Sequence, residues 1–121
     1  MKLEEEMNFY HGTDAKSAEA ILENGFKITE GIFGAGVYFS SSTEGASIFG
    51  SVLLQSTIDT SQLDQIIWRA EYNDSLAAQH FKLSKDTIIY YENGEKELFI
   101  KDITLIKKTT HKREEEKNHV L

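Results

Sequence analysis

The stretch Phe33-Gly34-Ala35-Gly36-Val37-Tyr38-Phe39-Ser40 decides how this chain is interpreted. Its glycines lack a Cβ, so the backbone can turn tightly there and approach another group closely. The Val-Tyr-Phe run that follows is typical of a short buried strand. No Gly-Lys-Ser or Gly-Lys-Thr follows and no helix begins directly afterwards, so the segment is not a phosphate-binding loop. By itself it predicts a glycine-rich turn leading into a strand.

Two other short segments carry potential chemistry. Tyr10-His11-Gly12-Thr13 follows a short run, Met7 to Tyr10, that we interpret as a strand. Near the other end, Glu97 begins the alternating segment Glu97–Ile103, which places Glu97 and Phe99 on one face of a strand. Glu95 is a competing carboxylate, because the alternation puts it on the same face as Glu97.

Local signals predict the remaining elements. Asp14 is a suitable N-cap for a helix over Ala15–Asn24, and Gly25 suits its C-terminal end. Ser41-Ser42-Thr43-Glu44 has capping-box spacing and predicts a brief helix through Phe49, ended by Gly50. Val52–Ile58 is typical of a buried strand.

The second half of the chain is less clearly patterned. Leu63 to Phe81 is ambiguous, and we favour a helix because its first apolar residues recur at helical spacing. Asn93-Gly94, between Thr87–Glu92 and Glu95–Lys101, strongly predicts a hairpin. Residues 107–121 are polar and predict a flexible tail. The pattern as a whole indicates an α+β fold without a βαβ rhythm.

Composition limits the classes of function. The 121 residues predict one domain, and the net charge of −7 disfavours nonspecific binding to nucleic acid. With no cysteine there is no disulfide or thiolate site, and the four histidines show no metal-ligand spacing, so we expect no metal. Met1 to Glu6 lack the apolar stretch of a Sec signal peptide, and the apolar runs are too short to span a membrane. We therefore expect a cytoplasmic monomer with no membrane contact, although some secretion routes use no signal peptide.

Taken singly, most of the candidate site residues have two interpretations. Tyr38 and Phe49 can stack on a flat heteroaromatic ring, or be ordinary core aromatics. His11 can hydrogen-bond a sugar hydroxyl, or be a structural histidine. Gly12 leaves backbone polar groups accessible to a planar amide. Glu97 is either a cleft carboxylate or a surface charge. No nucleophilic triad motif is present, and a paired-carboxylate glycosidase stays open.

The order of these segments resembles the His-Tyr-Glu ADP-ribosyltransferases, which include diphtheria-type toxins and poly(ADP-ribose) polymerases. Tyr10–Thr13 is similar to the toxin form of the first motif. Ile32–Phe39 is similar to the tankyrase form of the second, and Glu97–Ile103 to the strand that carries the catalytic glutamate. Leu53–Ile58 resembles the buried strand after the active-site helix. The resemblance implies two small, antiparallel-rich sheets with short helices around an NAD cleft.

Roles for individual residues follow from this resemblance. His11 would bind the adenosine ribose, Gly12 the nicotinamide amide, and Tyr38 and Phe49 would sandwich the nicotinamide ring. Glu97 would bind the nicotinamide-ribose hydroxyl and stabilise the oxocarbenium ion. The remaining residues that the resemblance assigns to the NAD site are Thr13, Gly36, Phe39 and Ser47.

The chain departs from the family pattern at two positions. Phe49 stands where a tyrosine is usual. Ala46 stands where the polymerases have a serine that holds the carboxamide, and Ser47 lies one residue further on.

The expected function is therefore NAD-dependent transfer of a single ADP-ribose, with release of nicotinamide, to an unidentified acceptor, for which protein is favoured over nucleic acid. NAD glycohydrolase activity and a catalytically inactive NAD-fold interaction module are the alternatives. An RNA 2′-phosphotransferase is disfavoured, because it needs arginines around the phosphate and only Arg69 and Arg113 are present.

Overall fold

Eight strands form the framework of the fold in the computed structural model, which describes residues 5–69 and 81–114. They are β1 (Glu6–Thr13), β2 (Thr29–Gly31), β3 (Gly34–Ser40), β4 (Val52–Asp59), β5 (Asp64–Trp68), β6 (Thr87–Tyr91), β7 (Lys96–Ile100) and β8 (Ile106–Glu114). The strand order is β5-β6-β7-β3-β1-β4-β8, and β2 pairs with β3 off this path. Apart from the parallel pair β5–β6, the described pairs are antiparallel. The α+β class with a largely antiparallel sheet is confirmed.

Two short helices accompany the sheet in the described residues, α1 (Ala15–Asn24) and α2 (Thr43–Ser47), with a 3₁₀ turn at Ile103–Leu105. The prediction for α1 is confirmed at both ends. Asp14 accepts a 2.7 Å hydrogen bond from the Ser17 amide, and Gly25 has a φ of 86°. None of the described helices has the length and apolar character needed to cross a membrane.

Helix α2 begins and ends one or two residues away from its predicted limits. Ser42, rather than Ser41, is the N-cap, and its hydroxyl accepts from the Gly45 amide at 3.0 Å. The helix ends at Ser47 because the Phe49 amide bonds to the carbonyl of Ala46, three residues back, in a tighter turn. Phe49 therefore lies beyond the helix.

The predicted pair of separate sheets is wrong, because β1 and β3 join the strands into one sheet. Tyr10 pairs with Ser40 at this junction. Elsewhere the two strands have other partners: β1 pairs with β4 along its whole length, and β3 pairs with β2 near its start and with β7 near its end. A junction at one residue pair leaves room for β1 and β3 to separate on either side of it.

The predicted hairpin and the alternation of its second strand are confirmed. Residues of β6 and β7 pair in register, with Ile89 opposite Glu97. Leu98 and Ile100 belong to the main apolar cluster, whereas Phe99 packs in a second cluster on the other face. Glu97 therefore shares its face of the sheet with Phe99, as the sequence predicts.

The helix predicted at the start of Leu63 to Phe81 is wrong, because this segment forms strand β5. Asp64–Trp68 runs parallel to Thr87–Tyr91. Ile66 packs on the second apolar cluster while the side chain of Ile67 is 66% exposed, so the two neighbours lie on opposite sides, as in a strand. The rest of that prediction, residues 70–80, falls outside the described residues.

The flexible tail predicted from residue 107 is wrong for its first part. Residues Ile106–Glu114 form β8, which pairs with β4 at the edge of the sheet. The hydroxyl groups of Ser56 and Thr109 lie 2.8 Å apart and link the two strands. Lysine is common on edge strands, where half of the side chains face water. The polar composition of β8 therefore did not indicate a strand. Residues 115–121 lie outside the described part of the chain.

Gly12 is required by a close approach between β1 and α2. A Cβ at this position would lie 1.8 Å from the Ala46 carbonyl oxygen, a backbone atom that cannot rotate away. Gly12 also pairs with Leu53 in the ladder between β1 and β4, so the strand is held on its other side. Helix α2 can lie against β1 only because residue 12 has no side chain.

We expect Gly12→Ala to lower the free energy of unfolding by about 3 kcal/mol or more, since overpacking against fixed backbone cannot relax. Urea denaturation of the purified variant measures this. Gly45→Ala is the matched control: its Cβ would meet serine side-chain atoms at 3.2 to 3.3 Å, a much milder contact. Equal stability of the two variants would show that the approach of α2 to β1 is not constrained.

Candidate functional site

A cavity of about 800 Å³ lies where β1 and β3 separate. Its wall includes Tyr10 to Thr13 of β1, Val37 to Ser40 of β3, part of α1, and the segment from Asn24 into β2. The described wall also includes Ile32, Ala46, Phe49, Tyr91 and Glu97. The three residues that the sequence singled out, His11, Tyr38 and Glu97, therefore line one cavity.

His11 is held across the junction of β1 and β3. Its Nδ1 lies 2.7 Å from the Tyr38 carbonyl oxygen. Because a carbonyl can only accept, Nδ1 carries the proton, and in the neutral ring Nε2 is left as an acceptor. The ring packs edge-on against Phe26 and Phe39, with centroids 5.0 and 5.7 Å away.

Burial has the largest effect on the pKa of His11. It lowers the pKa of His11 below the usual range, and the hydrogen bond to the Tyr38 carbonyl opposes this only in part. At neutral pH the ring is therefore uncharged. An uncharged imidazole with one bound nitrogen and one acceptor nitrogen is suited to accepting a hydrogen bond from a sugar hydroxyl.

Tyr38 is fixed by its hydroxyl and by two rings. The hydroxyl donates to the Gly34 carbonyl at 2.7 Å and accepts from the Phe33 amide at 2.9 Å. Its ring lies edge-on to Phe99 and nearly parallel to Phe33, with centroids 5.3 and 6.4 Å away. The residue therefore presents a preoriented aromatic surface to the cavity, so its side chain loses little conformational entropy when a ligand binds.

Phe49 also lines the cavity, but its side chain is 68% exposed. In the part of the chain that the structure describes, its ring makes no direct contact with the ring of Tyr38. The stacking of a planar ligand between Tyr38 and Phe49 stays a prediction.

Glu97 reaches the cavity from β7, opposite Ser40 of β3. The carboxylate is half-buried, and Tyr91 donates a 2.6 Å hydrogen bond to its Oε1. Burial raises the pKa of Glu97, and the bond from Tyr91 acts in the opposite direction. Burial, followed by the hydrogen bond to Glu97 and its charge, raises the pKa of Tyr91 far above its usual value, so Tyr91 remains a donor.

The competing carboxylate, Glu95, has a structural role. It accepts a 2.8 Å hydrogen bond from the Ser42 hydroxyl and a longer one, 3.4 Å, from Ser41. It is not among the described residues that line the cavity. Glu95 thus ties the β6–β7 hairpin to the start of α2, and Glu97 is the carboxylate of the cavity.

The other predicted binding residues divide into two groups. Gly12, Thr13 and Phe39 line the cavity, whereas Gly36 and Ser47 are not among its described lining residues. A Cβ at Gly36 would lie 2.5 Å from the ring of Phe99, so packing explains this glycine. The Ser47 hydroxyl donates to the Glu44 carbonyl at 2.8 Å, within its own helix.

Sequence reasoning missed several cavity residues, of which Tyr91 is the most informative. Its signal was available: the Asn93-Gly94 hairpin sets the register of β6 on β7, and Tyr91 then lies diagonally across from Glu97 on the same face. Lys27 and Glu30 line the cavity from the α1–β2 segment, where no pattern indicated a site. The described residues include no group of three or more potential metal ligands.

No protein-family model matches this chain, and no curated protein is significantly similar to it.

We expect Glu97→Gln to raise the melting temperature at about pH 8, because it removes a partly buried charge and still leaves an acceptor for Tyr91. The raised pKa of Glu97 means that ionisation disfavours the folded state above that pKa. Below about pH 4.3, where the carboxyl is neutral in both states, the difference should disappear. Thermal denaturation across this range measures it; a variant that melts lower at about pH 8 contradicts this interpretation.

Proposed function

We propose that this protein is an NAD-dependent ADP-ribosyltransferase that releases nicotinamide and transfers a single ADP-ribose. The observation that carries the proposal is that His11, Tyr38 and Glu97, which are distant in sequence, line one cavity from the adjacent strands β1, β3 and β7. These are the residues whose sequence context resembles the His-Tyr-Glu transferases. We also assign the fold, as part of the same proposal, to that family.

The cavity has the size and character that this substrate needs. Its volume of about 800 Å³ lies within the range of roughly 300 to 1,000 Å³ that small-molecule sites usually occupy. Rings of Tyr38 and Phe49 supply aromatic surface, and His11 and Glu97 supply polar groups on the same wall. A dinucleotide combines these needs, since it carries a flat cationic ring, two sugars and a second base.

Glu97 is the residue proposed to act on the reacting sugar. The bond between the ribose C1′ and the nicotinamide nitrogen breaks, and its electron pair leaves with the nicotinamide. Positive charge then develops on the ribose, and a carboxylate held close by stabilises it more in the transition state than in the ground state. The half-buried position of Glu97 strengthens this effect, because water screens the interaction less there.

The acceptor completes the reaction. A lone pair on the acceptor forms the new bond to C1′ and the acceptor loses its proton to solvent or to a nearby base. The proposal favours a protein acceptor, as the net charge of −7 does not suit a polyanionic one. His11 and Tyr38 bind the substrate in this scheme and do not exchange protons with it.

Nicotinamide release from NAD by the purified protein tests the proposal. We expect turnover by the wild type and a loss of about 100-fold or more in Glu97→Gln, which removes the negative charge while keeping the shape. Glu95→Gln is the matched control, since Glu95 is absent from the described cavity wall, and it should retain activity within about twofold. Equal rates for the wild type and Glu97→Gln would refute the role of Glu97.

Two further measurements on the purified protein test the alternatives, an NAD glycohydrolase and an inactive module that binds NAD. Incubation with labelled NAD and a cell extract puts label on a macromolecule if the protein is a transferase, whereas a glycohydrolase yields free ADP-ribose. A rise in melting temperature with NAD but no nicotinamide would indicate a binding module, because a ligand stabilises the folded state whether or not it reacts.

A further inference from the structure

The Glu97 carboxylate has a partner that no sequence motif indicated. Tyr91 ends β6, lines the same cavity and donates a 2.6 Å hydrogen bond from its hydroxyl to Oε1 of Glu97. The pairing of Ile89 with Glu97, and the bond from the Tyr91 amide to the Glu95 carbonyl, place Tyr91 diagonally across from Glu97. Both residues therefore belong to adjacent strands of one hairpin, and no loop conformation is needed to bring them together.

We infer that Tyr91 is a positioning residue for the reaction: it holds Oε1 of Glu97 so that Oε2 is presented to the sugar hydroxyl. The inference rests on the proposed function. A glutamate side chain on a strand can rotate about three bonds, and a hydrogen bond from a packed ring removes much of that freedom. Tyr91 packs against the second apolar cluster, so its hydroxyl is a fixed donor rather than a mobile one.

Tyr91 also influences the charge of the carboxylate. A hydroxyl that donates to a carboxylate favours its ionised form, so Tyr91 lowers the pKa of Glu97 against the effect of burial. The enzyme needs the ionised form, because only the anion stabilises positive charge on the ribose. Tyr91 therefore extends activity toward lower pH.

The other ionisable groups near Glu97 have different partners. Burial, and to a lesser extent the charges of Glu97 and Glu30, raise the pKa of Tyr38 on β3, whose hydroxyl bonds to the backbone at Phe33 and Gly34. On the same cavity wall, His11 of β1 bonds to the Tyr38 carbonyl, and Glu30 lies on β2. Along β7 the nearest acid, Glu95, bonds to Ser42. Among the described residues, Tyr91 is the one that donates a hydrogen bond to the Glu97 carboxylate.

Tyr91→Phe tests the inference, because it removes one oxygen and keeps the ring. We expect kcat for nicotinamide release to fall about 10- to 100-fold while KM changes by less than about twofold. The acid limb of the kcat profile should move to higher pH, since Glu97 loses the group that keeps it ionised. A merely structural role for Tyr91 would not move that limb.

Tyr90→Phe is the control, as it removes the same atom from the neighbouring residue on the other face. The Tyr90 hydroxyl bonds to Gln65 at 2.9 Å, and Tyr90 is not among the described residues of the cavity wall. Its kcat and pH profile should match those of the wild type.

A ring-fluorinated tyrosine at position 91 keeps the hydroxyl and tests the inference even if Tyr91→Phe does not fold. Its more acidic phenol is a stronger donor, so the acid limb of the kcat profile should move to lower pH, opposite to the shift expected for Tyr91→Phe.

The outcomes separate this inference from the proposed function. An active wild type whose Tyr91→Phe variant keeps the same kcat and the same acid limb overturns the inference and leaves the proposed function intact. A wild type that releases no nicotinamide overturns the proposed function and with it the positioning role of Tyr91 in that reaction. Carbon-13 NMR titration of the Glu97 carboxyl then still tests the coupling between Tyr91 and Glu97. A higher pKa of Glu97 in Tyr91→Phe supports the coupling, and an unchanged pKa refutes it.

Discussion

The hydrogen bond from His11 Nδ1 to the Tyr38 carbonyl is the interaction on which the site depends. It crosses the junction of β1 and β3, next to the Tyr10–Ser40 pair. A half-buried imidazole nitrogen without a partner would be costly, and here the Tyr38 carbonyl of the neighbouring strand accepts its hydrogen bond. One side chain thus helps to join the two strands and leaves a ring nitrogen available to a ligand.

The cavity lies where the pairing between β1 and β3 is incomplete. Strand β1 pairs with β4 along its whole length, but it pairs with β3 only at Tyr10 and Ser40. The space between them is bounded by α1 and by α2, which Gly12 allows to approach β1 closely. The site is therefore a consequence of incomplete strand pairing, and a fully paired β1–β3 ladder would remove it.

The carboxylate of Glu97 reflects a balance between stability and chemistry. A half-buried acid disfavours its own ionised form, yet that form is the one that can stabilise a developing cation. The Tyr91 hydroxyl offsets part of this cost and orients one oxygen. Functional groups commonly lower the stability of the fold that carries them, and the raised pKa of Glu97 is consistent with the role proposed for it.

The sequence by itself determined the elements whose signals are local. Helix α1 has its cap and its terminal glycine, and the β6–β7 hairpin has Asn93-Gly94, because neighbouring residues settle these conformations. Alternation along β7 placed Glu97 and Phe99 on one face for the same reason.

Only the tertiary structure decided the rest, since it depends on pairing between distant segments. Strand β5 has apolar residues compatible with a helix and becomes a strand because it adds to the edge of β6. The lysine-rich β8 gains its conformation from β4. Three-dimensional packing likewise separated Glu97 from Glu95, explained Gly36 by the ring of Phe99, and brought Tyr91 to the carboxylate. Such contacts join residues of different elements, so local sequence patterns do not predict them.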